Sequence, residues 1–432
     1  MEDKIKLIIY DNKSIFERPD GTKEIFEEGS NSPEAECRVK SIKKALKAEY
    51  LKNLIEGELK SPTKDFGLED THIELIKKLV NSVTSEVGRA LIGITIMQLC
   101  VKSICPDQNI RLHKGGKASG SAFSWREGVS MRTLDKSYIT PVLRQYDLLR
   151  LNADGFMMTR SLAENYPYTI LYKAAVRGGK KEWLLIVEAL EEKSLPPLGG
   201  LKYLISLLIN RSNKFIELSD VCMNRIRAYE SCTNPPKKTL GLIERFIESS
   251  EYSARAFEVV IHGAYQALDT MGEIEGVLKP LSQMRSANKK HGNIGDIEIL
   301  ESSIGMTIIE AWDTKYGKPD LREELEELSE KLLAHPDCRV AGFITNVTPV
   351  LSSETISRIE DITAFHDCFI YTYQFSEWYE KLILPIVKGD QETFFNSWLL
   401  AIAESLCQKR KDIAPIDEPC EHWIRNLIST FS

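Results

Sequence analysis

The sequence predicts an α/β protein in which a mixed β-sheet flanked by helices follows a largely α-helical N-terminal portion. Two patterns support this fold class. Between residues 68 and 105 the apolar residues recur at three- and four-residue steps, as on the buried face of a helix. Beyond residue 243, helical segments alternate with short apolar strands, which is typical of sheets covered by helices. The 432 residues are enough for two or three domains that each bury a core.

The N-terminal portion is predicted to contain two regions. Residues 1–110, mostly helical, begin with a strand candidate, "KLIIYD". Residues 111–232 open with the glycine-rich loop "RLHKGGKASGSAFSW", after which the helical pattern resumes. The segment "SCTNPPKKTLG" at 231–241 combines two prolines with two lysines and has no periodicity, so we predict the main domain boundary there.

Residues 243–432 are predicted to form the sheet domain and to end in helices. A helix containing "SARAFEVVIHGAYQAL" precedes strands in "IEGVLKPL", "IGDIEIL" and "MTIIEAWDTKY". The helix "DLREELEELSEKLL", the strand "RVAGFITNV", a helix near 353–363 and the strand "CFIYTYQF" follow. The predicted order is therefore αβββαβαβ, a mixed sheet with helices on both faces.

Composition excludes several classes of protein. Hydrophobic residues make up 43% of the chain and the net charge is −7, so any nucleic-acid-binding face must be local. The nine cysteines include no CxxC pair, which disfavours a zinc ribbon and predicts reduced thiols in the cytoplasm. The N-terminus lacks the apolar core of a signal peptide. The most apolar run, "ALIGITIMQLCV", is too short to span a bilayer, so we predict a buried helix and no membrane association.

Carboxylates in two neighbouring strands indicate a catalytic site. Asp296 lies on one predicted strand and Asp313 on the next, with "ESSIG" at 301–305 as the turn between them. Antiparallel pairing would bring the two carboxylates together, and side-chain alternation would place Lys315 on the same face as Asp313. Paired carboxylates repel each other unless a cation lies between them, and oxygen ligands suit Mg²⁺. A nearby lysine can orient or help deprotonate the attacking water and offset charge on a phosphate.

This arrangement resembles the active-site motif of the PD-(D/E)xK nuclease superfamily. Gly295-Asp296 stands where the family has Pro-Asp, and Asp313-Thr314-Lys315 stands where it has (D/E)xK. The resemblance covers roughly residues 243–375 and implies a restriction-endonuclease-like core with Asp296, Asp313 and Lys315 as catalytic residues. It also implies that Asp296, Asp313 and Thr314 bind Mg²⁺.

The resemblance extends to the helix ahead of the strands, and it leaves one competition open. The leading helix of the family often carries a glutamate near the metal, and Glu258 matches that position as a further catalytic carboxylate. Glu310 is a rival for the second metal-binding carboxylate, but Asp313 is favoured because a lysine follows it at the required spacing. The alternative for the whole motif is a DxK triplet on the solvated surface of an edge strand.

Residues 130–168 resemble a winged helix that would recognise DNA. Two short helical pieces are predicted up to about residue 149, and "RLNADGFMMT" is predicted as a strand, an Asp-Gly turn and a strand. Basic and hydroxyl side chains here and in two loops would contact bases and phosphates. The predicted DNA-binding residues are Lys114, Lys117, Arg132, Lys136, Tyr138, Thr140, Arg144, Lys289 and Lys290. The alternative for 130–168 is a small helical bundle with a charged surface.

Together the two resemblances imply a Mg²⁺-dependent, site-specific deoxyribonuclease, most like a type II restriction endonuclease. Its substrate would be double-stranded DNA, and one active site per chain predicts a homodimer for cutting both strands. A cognate DNA methyltransferase is expected in the same cell but not as a stable subunit. One alternative is a DNA repair, recombination or transposition nuclease of the same fold. Another is a winged-helix DNA-binding regulator whose nuclease-like domain is inactive.

Overall fold

The computed structural model divides into two units, Met1–Phe215 and Ile216–Ser432. The division falls inside one long helix that spans Pro197–Glu230. The residues that the structure describes are 5–83, 88–115, 125–149, 151, 154–162, 166–232, 235–281, 292–387, 389–409 and 419–432.

The first unit begins with a three-stranded antiparallel sheet. Its strands are β1 (Lys6–Ile9), β2 (Lys13–Glu17) and β3 (Lys23–Glu27). Because strand side chains alternate between faces, Phe16 and Phe26 lie on the same side of the sheet. Both are buried there in a small apolar cluster with Trp125.

The rest of the first unit is mainly helical. Its helices are α1 (Pro33–Lys47), α2 (Tyr50–Lys60), α3 (Asp70–Asn81), α4 (Arg89–Ile104), α5 (Met131–Leu134), α6 (Thr140–Gln145), α7 (Lys180–Glu191) and the first part of α8 (Pro197–Glu230). Helix α4 confirms the buried helix predicted from "ALIGITIMQLCV", because every residue from Leu91 to Lys102 is buried. None of the helices in the described ranges combines the length and apolar composition that crossing a bilayer requires.

The hairpin predicted near residue 155 is not found among the residues that the structure describes. Helices α5 and α6 are joined by a π-helical turn, Asp135–Ile139, into one continuous helical segment. The described residues that follow form a turn and two short 3₁₀ helices, Phe156–Met158 and Arg160–Leu162, with no strand among them. Among these described residues the wing of the winged-helix interpretation is therefore missing, whereas residues 150, 152 and 153 of the predicted hairpin lie outside them.

The buried carboxylate of Asp135 explains this local structure. It accepts hydrogen bonds from Thr140 Oγ1 at 2.5 Å and from the backbone N–H of Met157 at 2.8 Å. Gly155, with φ of 96°, lies so close that a Cβ there would be 2.3 Å from Asp135 Oδ2. The chain after residue 154 is thus drawn onto the helix that precedes it, which a projecting hairpin would not allow.

The second unit consists of a five-stranded sheet and its surrounding helices. The helices are the end of α8, α9 (Pro236–Ser249), α10 (Ser253–Met271), α11 (Arg322–Leu332), α12 (Ser353–His366), α13 (Phe375–Trp378), α14 (Leu384–Val387), α15 (Gln391–Glu404) and α16 (Cys420–Thr430). The strands, in sheet order, are β4 (Val277–Leu278), β5 (Ile297–Leu300), β6 (Ile308–Lys315), β7 (Val340–Thr345) and β8 (Phe369–Gln374).

The predicted αβββαβαβ order is confirmed for α10 through β8. Strands β4, β5 and β6 pair antiparallel, and β7 and β8 continue the sheet in parallel with β6. The sheet is therefore mixed, as predicted. Residues 301–307 connect β5 to β6 and contain the predicted turn.

The two faces of β6 contact different helices because its side chains alternate. On one face, Ala311 belongs to a buried cluster with Leu325 and Leu328 of α11. On the other face, Trp312 is completely buried. Its ring lies over Gly342 of β7, where an added Cβ would come within 3.0 Å of the indole. The sheet thus packs on both sides.

Candidate active site

Asp296 and Asp313 meet where β5 begins and β6 ends. The backbone N–H of Asp296 donates to the carbonyl of Trp312 at 2.9 Å, which extends the β5–β6 pairing by one residue. The two carboxyl groups lie close enough that the charge of Asp296 raises the pKa of Asp313. The hairpin therefore brings together two acids that are far apart in the sequence.

Thr314 fixes the orientation of Asp296. Asp296 Oδ2 accepts one hydrogen bond from the backbone N–H of Thr314 and another from its hydroxyl, each at 3.0 Å. One carboxylate oxygen is thus held by two donors of the neighbouring strand. Such fixed geometry favours a binding or catalytic role over a solvated surface residue.

Lys315 lies on the same face of β6 as Asp313, as side-chain alternation predicts. Its Nζ is 2.8 Å from Asp313 Oδ2. The Lys315 side chain is 25% exposed and that of Asp313 is 10% exposed, so the lysine is the more accessible of the two. A ligand that reached this site would meet the ammonium group with the Asp313 carboxylate below it.

The site concentrates negative charge. Burial, and then the charge of Asp296, raises the pKa of Asp313 to about 7. Burial also raises the pKa of Asp296, with a further contribution from the charge of Glu258. Burial lowers the pKa of Lys315, but the neighbouring Asp313 carboxylate raises that pKa by more. The pKa of Lys315 is therefore above its ordinary value. Two acids that cannot both ionise at low cost, beside a lysine that stays charged, are typical of a functional site.

Glu258 approaches the pair from helix α10. It lies in the first turns of that helix and forms an ion pair with Arg255. Its side chain is 20% exposed, and its negative charge contributes to the raised pKa of Asp296. The sequence-predicted glutamate is therefore near the carboxylate pair.

Glu310 lies on the opposite face of β6 from Asp313. Its Oε1 accepts hydrogen bonds from Trp312 Nε1 at 2.6 Å and from the Tyr265 hydroxyl at 3.2 Å. Burial raises the pKa of this carboxyl, and the two donors partly offset the rise. Glu310 therefore serves the packing of Trp312 against α10, and the geometry favours Asp313 as the partner of Asp296.

The glycine at position 295 has a structural cause. A Cβ on Gly295 would lie 2.6 Å from the carbonyl oxygen and 2.7 Å from the carbonyl carbon of Trp312. The backbone N–H of Gly295 also faces Glu298 Oε1 at 3.3 Å. The departure from the Pro-Asp pattern thus accompanies an unusually close approach of β6 to the chain just before Asp296.

Two residues beside the site were missed by the sequence analysis. Glu298 is 2% exposed in the middle of β5 and is paired with Lys279, whose Nζ lies 2.6 Å from Glu298 Oε2. The available signal was an acid at the centre of the apolar run "IEIL", where a lone charge is costly. Its partner Lys279 directly follows strand β4, and sequence spacing does not indicate that the two residues meet.

Several of the described residues that were predicted to bind DNA are buried or already paired within the first unit. Thr140 is buried, and its hydroxyl donates to Asp135. Arg144 Nη1 donates to the carbonyl of Leu151 at 2.5 Å, and Lys136 lies 3.4 Å from Asp154. These side chains hold the loop that follows their helix.

The remaining predicted contacts differ in their placement. Tyr138 packs partly buried against the core of the first unit, and Lys114 contacts Asn31. Arg132 is exposed. Lys117, Lys289 and Lys290 lie outside the described residues. DNA binding by this set stays a prediction.

The site offers a pair of carboxylates to a metal ion. Within the part of the chain that the structure describes, no group of three or more His, Cys, Asp or Glu residues is placed to hold a metal. Mg²⁺ is commonly bound through one or two carboxylates, with water and substrate phosphate oxygens completing its coordination. The donor set of Asp296 and Asp313 fits such an ion.

No protein-family model matches this chain, and no curated protein is significantly similar to it.

Proposed function

We propose that this protein is a Mg²⁺-dependent endonuclease that hydrolyses phosphodiester bonds in double-stranded DNA, most like a type II restriction endonuclease. The observation that supports this most directly is the meeting of Asp296, Asp313 and Lys315 at one end of the β5–β6 hairpin. The surrounding order of strands and helices is the one in which the PD-(D/E)xK motif was expected.

The charge balance supports a divalent cation at this site. Asp296 and Asp313 meet beside the ammonium of Lys315, and Glu258, which is paired with Arg255, adds a negative charge that raises the pKa of Asp296. Asp296 and Asp313, with the main-chain carbonyl of Thr314, are the groups that would hold Mg²⁺. When bound, the ion supplies Lewis-acid stabilisation of phosphate charge and lowers the pKa of water.

The chain's own residues have separable roles in this proposal. Lys315, which stays protonated, donates to a non-bridging phosphate oxygen and offsets the charge that develops there. Thr314 keeps Asp296 in one orientation through its N–H and hydroxyl. Glu258 is held in place by its ion pair with Arg255, and its negative charge raises the pKa of Asp296.

Cleavage of both strands needs two such sites. The chain supplies one Asp296–Asp313 pair, so the proposal includes a homodimer, or a monomer that dimerises on DNA, acting on a near-palindromic sequence. Sedimentation with a cleavable duplex should show two chains per duplex during double-strand cutting. One chain per duplex would contradict this part of the proposal.

The direct test is cleavage of supercoiled plasmid by the purified chain. Cutting should require Mg²⁺ or Mn²⁺, stop in chelator and be poorly supported by Ca²⁺. Asp313→Ala should abolish it, whereas the matched control Glu310→Ala should leave measurable activity in folded protein because Glu310 lies on the other face of β6. Robust cutting in chelator, or the reverse pattern of the two variants, would contradict the proposal.

The same assay separates restriction from other nuclease functions. A restriction enzyme should produce discrete fragments, whereas a repair or recombination nuclease should give smears or cuts at structured DNA. A binding regulator should shift the DNA in a gel without cutting it.

A further inference from the structure

The chain just before Asp296 is fixed by an ion pair between the buried Glu298 and the partly exposed Lys279. Glu298 Oε1 accepts the backbone N–H of Ile294 at 2.6 Å and that of Gly295 at 3.3 Å. Its other oxygen accepts from Lys279 Nζ at 2.6 Å. The same Lys279 Nζ donates to Asn293 Oδ1 at 2.9 Å. One carboxylate and one ammonium thus bind three successive residues, 293, 294 and 295.

The strand partners reinforce this arrangement. Lys279 N–H donates to the carbonyl of Glu298 at 2.9 Å, so the two residues are joined by backbone as well as side chain. Lys331 of α11 donates to the carbonyl of Ile294 at 3.1 Å from the other side. The segment then passes directly into Asp296, whose N–H is bonded to β6.

This ion pair is well placed to determine the position of the Asp296 carboxylate. Glu298 and Asp296 are two residues apart, and the hydrogen bonds of Glu298 fix the backbone between residue 294 and the start of β5. Removing Lys279 would leave the buried charge of Glu298 without its partner, and removing the Glu298 carboxylate would release the N–H groups of Ile294 and Gly295. Groups that orient a metal ligand typically change metal affinity by about 10–100-fold when they are altered.

We propose that Lys279 and Glu298 are positioning residues that set the affinity of the Asp296–Asp313 site for its divalent cation. The inference rests on the proposed function, because it assumes that this carboxylate pair binds metal. Neither residue contacts the reacting atoms in this scheme. They act through the backbone that presents Asp296.

The test measures binding of Mn²⁺ alone to the full chain by electron paramagnetic resonance, with thermal unfolding measured in parallel. Glu298→Gln keeps an oxygen for the N–H groups of Ile294 and Gly295 but places an amide N–H₂ against Lys279. It should weaken Mn²⁺ binding by about 10–100-fold. Lys279→Arg should bind nearly as well as wild type, because the buried Glu298 charge keeps a cationic partner.

A milder variant and a surface control complete the set. Lys331→Met removes one hydrogen bond to the Ile294 carbonyl without isolating Glu298, and it should weaken Mn²⁺ binding by a smaller factor. Lys381→Met breaks the exposed ion pair with Glu377 and should leave Mn²⁺ binding unchanged. Lys331→Met keeps the test informative if Glu298→Gln does not fold.

Cleavage kinetics give a second readout. The Mg²⁺ concentration for half-maximal cutting should rise in Glu298→Gln, while kcat at saturating Mg²⁺ stays close to wild type. If wild type binds Mn²⁺ and both Glu298→Gln and Lys331→Met bind it equally well at a lower unfolding temperature, the ion pair is purely structural. That result would overturn the inference and leave the proposed function standing. If wild type itself does not bind Mn²⁺, the proposed metal site and the inference both fail.

Discussion

Replacing Asp313 with asparagine should stabilise the metal-free protein while removing its cleavage activity. Burial and the neighbouring Asp296 raise the pKa of Asp313 to about 7, from an ordinary value of 3.8. A raised carboxyl pKa means that the folded state favours the protonated group. The stability that this provides is present below pH 4 and is lost as the pH rises through 7. Asparagine does not ionise, so it escapes this loss.

The size of the effect follows from the shift. About three pKa units, at roughly 1.4 kcal/mol each, correspond to at most about 4 kcal/mol at pH 9. For a domain of this size, each kcal/mol moves the unfolding temperature by about 2–4 °C. Asp313→Asn should therefore unfold several degrees above wild type at pH 9 in chelator, and the gap should close towards pH 4.

Thermal unfolding from pH 4 to pH 9, in chelator and then in Mn²⁺, is the assay. Mn²⁺ should stabilise wild type by binding its folded state and should not stabilise Asp313→Asn. The matched control is Asp320→Asn at an exposed carboxyl whose pKa is lowered by its hydrogen bonds to Arg322, so it should show no gain at high pH. If Asp313→Asn is less stable than wild type at pH 9 in chelator, attraction to Lys315 outweighs repulsion from Asp296. The electrostatic argument for a cation site would then be wrong.

Three further predictions concern other positions. Gly295→Pro restores the family's Pro-Asp pattern, but it should destabilise the hairpin by about 3 kcal/mol and abolish cleavage, as calorimetry and plasmid cutting can check. The reason is that proline adds a Cβ 2.6 Å from the Trp312 carbonyl oxygen and removes the N–H that donates to Glu298. Glu310→Gln should leave cleavage within a few-fold of wild type, since glutamine can still accept from Trp312; a complete loss in folded protein would refute the assignment of faces. Asp135→Asn should gain up to about 3 kcal/mol at pH 8 and little at pH 4, because burial raises the pKa of Asp135 to about 6; urea unfolding at both pH values measures it.

The sequence by itself determined the order of elements in the second unit and the partners within the β5–β6 hairpin. Helical and strand periodicities are local, and short connections leave neighbouring strands few ways to pair, so α10 through β8 appear in the predicted order. Alternation along β6 was sufficient to place Lys315 beside Asp313. The burial of α4 followed from apolar residues all around that helix.

The tertiary structure decided which faces are covered and by what. Tyr265 of helix α10 donates a hydrogen bond to Glu310, so Glu310 stabilises packing. Asp313, an acid on the same strand, lies on the opposite face in the candidate site. Lys279, which directly follows strand β4, forms an ion pair with Glu298. The Asp135 carboxylate accepts a hydrogen bond from the backbone N–H of Met157, in the segment where turn residues predicted a hairpin. Each of these contacts joins residues well separated along the chain, and a pattern of local periodicity contains no information about which distant partner will satisfy a buried charge.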